Sequence, residues 1–162
     1  MNSVNSTMLL MVFITSCTTA SGLDTGSEAS IEVPDLKITA VPETMSEFQK
    51  HFSQYTSVFG VHVLATKGVS SDKVRHVAAV LAEYLDNDED GVADDPAVVE
   101  AMASRQMGMV LFGSEREMER LDGSGIDRFG YQYMQGQFAE ETKPPGQFDA
   151  TIEEVLHLVT TG

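Results

Sequence analysis

The sequence predicts a mixed α/β (α+β) domain, a small sheet covered by amphipathic helices, two of which flank an acidic loop. Three observations carry this prediction. Ser57–Thr66 and Gly108–Gly113 are runs of β-branched, aromatic and other apolar residues, the composition of buried strands. Between them lie two segments with helical signals, enough chain for a parallel crossover. Finally, 162 residues with 42% apolar content suit one domain with a modest core.

In chain order, residues 1–17 read as a signal peptide. Met8 to Ile14 is an apolar run without flanking charge, far short of the roughly 20 apolar residues that span a bilayer. Ile14-Thr15-Ser16-Cys17 then gives an aliphatic residue, two small ones and the chain's one cysteine. This resembles a bacterial lipobox, which implies a lipidated Cys17 as mature N-terminus and sole membrane anchor. The alternative is ordinary cleavage near Ala20. Both imply export, to the cell envelope or beyond, and neither leaves a cysteine pair for an internal disulfide. Residues 18–45, rich in Thr, Ser, Gly, Ala and Pro, read as a flexible linker.

Residues 46–162 are expected to form the single α/β domain. Ser46–Tyr55 reads as a short helix capped by Ser46. Ser57–Thr66 is the first strand. Val74, Val77, Ala78, Leu81 and Leu85 fall on one face of a helix for which Ser71 is the expected cap. A second helix has Asp95 as cap and Pro96 in its first position. After the second strand, Ser114 and Glu117 stand at capping-box spacing. Glycine-rich, aromatic chain follows with one more strand candidate, then the breaker Lys143–Gln147 and a last amphipathic helix. The chain stops directly after that helix, as a piece of a longer protein would.

The 25 acidic against 10 basic residues give a net charge of −15. Such a field repels nucleic acid and anionic membrane surfaces, and it favours cations and basic partners. The charge is densest in Leu85–Pro96, LDNDEDGVADDP, with six acidic side chains in twelve positions. Counted from Asp86, positions one, three and five are Asp86, Asp88 and Asp90; Gly91 is sixth, Val92 seventh and Asp94 ninth. This D-x-D-x-D-G-x-x-D spacing, between two helices, resembles the EF-hand calcium loop. Calcium takes six to eight oxygens at about 2.3–2.6 Å, so the backbone must curl around one point. Alternate side chains then converge while Gly91 permits the bend. The resemblance implies a Ca²⁺ ion held by Asp86, Asp88, Asp90, the Val92 carbonyl and Asp94. The chain departs from the pattern at position eight, Ala93, and at position twelve, where Ala97 replaces the bidentate Glu. Asp95 and Glu100 are nearby substitutes. With one unpaired loop, the expected affinity is in the weak extracellular class, a Kd of about 10⁻⁴–10⁻³ M. An acidic turn that merely caps the next helix would account for Asp94 and Asp95, but not for the alternation before them.

The last helix places Glu153, Glu154 and His157 together, on a face expected to lie away from an apolar stripe of Ile152, Val155, Leu156 and Val159. Glu-Glu-x-x-His resembles the zincin motif His-Glu-x-x-His with its first His replaced. The resemblance implies His157 as a Zn²⁺ ligand, Glu153 in the other ligand position and Glu154 as catalytic base of a metal-dependent hydrolase. The alternative is a solvated helix face. His62 reads as a hydrogen-bonded core histidine, and His76 falls on the polar side of its helix beside Asp72 and Glu83. Tyr131, Gln132, Tyr133, Gln135 and Gln137 read as an aromatic strand on the core, or as the lining of a polar groove. Ser124 between two glycines has neither phosphate-loop spacing nor a nucleophile elbow. No order of residues supports a Ser–His–Asp or Cys–His mechanism, so the sequence favours an exported calcium-binding structural module over an enzyme.

Overall fold

The computed structural model describes residues 36–122 and 133–161. The expected signal peptide, Cys17 and most of the linker lie outside these residues, as do Ser124, Tyr131 and Gln132.

The fold is mixed α+β, with four α-helices and one four-stranded mixed sheet among the described residues. Strands β1 (Gln54–Val58), β2 (Val61–Ala65), β3 (Gly108–Phe112) and β4 (Met134–Phe138) lie in that order across the sheet. β1 and β2 are antiparallel; β2, β3 and β4 are mutually parallel. Helices α1 (Ser71–Leu85) and α2 (Pro96–Ser104) form the crossover from β2 to β3 that the sequence predicts. Helix α3 (Glu115–Asp122) follows β3, and α4 (Thr151–Thr161) follows β4.

Side-chain alternation divides the core between the two faces of the sheet. Val63, Ala65, Met109 and Leu111 point to a cluster shared with α1, α2 and α4. Leu64, Val110 and Phe112 point the other way, toward Phe48, Phe52 and Leu121. Because both faces are covered, all five β3 residues are buried, and the sequence there is a continuous apolar run. The expected α1 face is the buried one: Val74, Val77, Ala78, Leu81 and Leu85 are at most 4% exposed. Met102, Met107 and Met109 are buried in the same cluster, filling it as flexible thioethers do.

The single strand expected over 57–66 is instead a hairpin. Phe59 and Gly60 form its two-residue turn, with φ of 48° and 84°. Two consecutive left-handed residues match the strand twist. Gly60 adopts this conformation freely, whereas Phe59 is strained, at a cost of order 1–3 kcal/mol. Burying its ring to 8% exposure returns a comparable roughly 1.5–3 kcal/mol. The helix expected over 46–55 is also absent. Two 3-10 turns, Glu43–Met45 and Phe48–Lys50, precede β1, and Ser46 lies between them rather than capping a helix. Phe48 and Phe52 stack at 6.0 Å beneath the sheet while pairing with β2 draws Gln54 onward into a strand. Tertiary contacts override local propensity here.

Packing also reaches into the expected linker. Thr39 and Tyr55 exchange both backbone hydrogen bonds, at 2.8 and 2.9 Å, and Val41 and Met45 are buried. Two caps differ from expectation. Ser70 precedes α1 without a side-chain cap bond, while the Ser71 hydroxyl donates to Gln54 Oε1. Glu117 reaches past Ser114, accepting from the Gly113 amide at 2.8 Å and from the Thr66 hydroxyl. It thereby ties α3 to the chain leaving β2.

Candidate metal centre

Leu85 and Ala93 are buried at either end of the acidic loop and hold it against the core. Ala93, the small residue at position eight, is thus a packing residue. Asp94 N–H donates to the Leu85 carbonyl at 2.8 Å, closing the loop back onto the end of α1. Asp95 ends it by accepting from Ala97 and Val98 N–H at the start of α2, with Pro96 in the first helical position as the sequence predicts. Ordered helix ends therefore set the span of the loop.

Inside the loop, the backbone wraps one carboxylate. Asp86, 7% exposed, accepts from Asp90 N–H at 3.1 Å through Oδ1 and from Gly91 N–H at 2.9 Å through Oδ2. Gly91 has φ 86° and Glu89 φ 57°, the left-handed residues that make the curl. Asp94 Oδ2 accepts from Asn87 N–H at 2.9 Å. One ligand oxygen from each of Asp86, Asp88 and Asp94 lies within 4.8 Å of the others. Asp90 is outside this trio; its Oδ1 accepts from Val92 N–H at 2.8 Å. The Val92 side chain is exposed. Neither Asp95, which caps α2, nor Glu100 joins the trio.

The electrostatics follow from this convergence. Asp88 is fully exposed, yet its carboxyl sits above the ordinary carboxylate range, chiefly because Asp90 is beside it, with Asp94 and Asp86 adding to the repulsion. A hard cation, which several carboxylate oxygens can share, would reverse the sign of those interactions. Among the described residues this is the one group of three carboxylate, imidazole or thiol ligand atoms so close together.

The last helix is arranged differently from its sequence pattern. Its buried side is Thr151, Val155 and Leu158, while Ile152 and Leu156 stand exposed. The expected stripe is thus rotated, because α4 packs on both β4 and α1. The rotation gives the three candidate residues different surroundings. Glu154 turns toward the sheet and accepts from Gln135 Nε2. Glu153 and His157 remain exposed, 4.0 Å apart. Gln135 also accepts from the Tyr133 hydroxyl, and Gln137 donates to the Thr151 hydroxyl at 2.9 Å. The β4 polar residues thus form a ladder to α4.

His62 is partly buried and meets the Tyr55 hydroxyl through Nδ1 at 3.2 Å; burial pushes its pKa down. His76 has a partner the sequence reading missed. Its Nε2 meets Asp149 Oδ2 at 2.5 Å, joining α1 to the chain just before α4. Burial would raise the Asp149 carboxyl. The Lys143 amide, the Thr151 hydroxyl, His76 and the Thr151 amide outweigh burial and hold the carboxyl at about 2. The one local signal was an Asp two residues ahead of a helix start, the Asx-turn position. Its distant partner, 73 residues away, left no trace in the pattern.

The fold and the site together define an α+β domain with an acidic cluster able to hold a metal ion. Comparison with family models, with curated proteins and with solved structures finds no match to this chain.

Proposed function

We propose that the chain is a calcium-binding structural module, exported and lipid-anchored through Cys17. Asp86, Asp88 and Asp94 supply the first oxygens to one Ca²⁺, with Asp90 and the Val92 carbonyl completing the protein ligands. The single observation behind this reading is the convergence of the Asp86, Asp88 and Asp94 oxygens within 4.8 Å, in a loop that already curls around Asp86. Hard oxygen donors without sulfur or imidazole favour calcium over zinc. The ion neutralises the loop and fixes the angle between α1 and α2. Without a position-twelve Glu, water completes the shell and binding is weak, at a Kd of about 10⁻⁴–10⁻³ M.

Equilibrium dialysis of the purified chain at millimolar CaCl₂ tests the reading. It expects one ion per chain and none in Asp88→Ala. No bound calcium in the parent protein would overturn it. The anchoring part has its own test: labelled palmitate should enter the membrane-fractionated protein and be lost in Cys17→Ser.

A further inference from the structure

Exposed apolar side chains that lie together, rimmed by polar residues, mark interaction sites. Phe148, Ile152 and Leu156 are 71%, 50% and 43% exposed and recur every four residues. Ile152 and Leu156 lie on successive turns of α4, about 6 Å apart along its axis. Phe148 sits just ahead of the helix. Ile152 also forms one wall of a groove of about 470 Å³ between α1 and α4, where Ala79, Val80 and Tyr84 give an apolar lining. The Tyr84 hydroxyl, donating to the Ile152 carbonyl at 3.4 Å, ties the two walls together.

Acids border each apolar residue. Glu140 and Glu141 share a hollow with Phe148. Glu83 shares the groove with Ile152. Glu153, exposed, lies between Ile152 and Leu156 in sequence. Asp149 is already engaged by His76, and His157 stands beside Glu153. Of the nearby cations, Lys73 is committed to the Ala139 carbonyl, and the Lys143 side chain is exposed.

We propose that this face docks a basic amphipathic helix from another protein. Its apolar side covers Phe148, Ile152 and Leu156, and its lysines or arginines face Glu83, Glu140, Glu141 and Glu153. Charge selects the occupant. A second copy of this chain would bring the same acids against themselves across a two-fold contact, in a molecule of net charge −15.

The test uses synthetic helices of roughly 14 residues, about four turns, in EDTA so that bound calcium plays no part. A Leu/Lys peptide with apolar residues at i, i+3, i+4 and i+7 should bind one to one at physiological salt. The double variant Ile152→Ser, Leu156→Ser should weaken it ten-fold or more without moving the unfolding midpoint. A Leu/Glu peptide of the same pattern should not bind. The proposal falls if a Ser/Lys peptide of equal charge binds as tightly, since bulk charge would then suffice. It also falls if the double variant binds like the parent, or if the free protein sediments as a dimer that the double variant dissolves.

Discussion

Two regions of this molecule concentrate carboxylates, and they resolve the charge in opposite ways. At the start of α4, one carboxylate, Asp149, is surrounded by donors: the Lys143 and Thr151 amides, the Thr151 hydroxyl and His76. Its pKa falls to about 2. In the acidic loop, oxygens of Asp86, Asp88 and Asp94 converge, and the Asp88 pKa rises, chiefly because Asp90 is beside it. Crowded acids alone therefore do not mark a cation site. What distinguishes the loop is that its carboxylates, although Asp86 and Asp94 also accept backbone amides, bring their oxygens within reach of one another.

Removing the donor-satisfied carboxylate should have the largest effect. Asp149→Ala strands two backbone amides and the His76 ring at the α1–α4 joint. We expect a loss of about 2–3 kcal/mol at neutral pH, read from urea unfolding. An unchanged midpoint would dissolve the contrast. The same group sets an acid limb. A folded pKa of about 2 against an ordinary 3.8 means that the unfolded chain binds the proton first. The contribution is present above about pH 4 and is lost as pH falls toward 2; Asp149→Asn should flatten that part of the stability curve.

The loop should respond to ions rather than to truncation. At 10 mM Ca²⁺, a Kd of about 10⁻⁴–10⁻³ M corresponds to a gain of about 1.4–2.7 kcal/mol by mass action. That gain should vanish in Asp88→Ala and persist in Asp149→Ala. Without calcium the sign should invert: Asp88→Asn removes a repelled charge, so it should leave stability unchanged or slightly higher, as thermal melts in EDTA would show. The smallest effect belongs to the exposed Glu153–His157 pair. At 4.0 Å in water it contributes about 0–0.5 kcal/mol, so Glu153→Gln should be nearly silent in urea unfolding at pH 6.

Legibility in the sequence varied with the range of the forces involved. The α1 face, the Asp95–Pro96 start of α2 and the crossover between parallel strands are all visible locally, because helical period and capping act over a few residues. The hairpin was missed because Phe59-Gly60 lacks the Asn-Gly signal, and only the burial of Phe59 makes the turn affordable. α2 hid its terminus in a similar way. Gln106 takes the left-handed position, φ 54°, where glycine is usual, with Met107 N–H bonded to the Met102 carbonyl at 3.0 Å.

By itself, the sequence determined the class of fold, the buried face of α1 and the place where negative charge would crowd, since residue spacing alone carries all three. Only the tertiary structure decided which carboxylates meet. It drew Asp86, Asp88 and Asp94 together while leaving Asp90 to the Val92 amide. It also rotated α4 so that Glu154 faces Gln135 and Ile152 and Leu156 face outward. The reason is that spacing fixes the direction of a side chain relative to its own helix or loop, whereas the packing of that element against the rest of the chain fixes what the side chain meets.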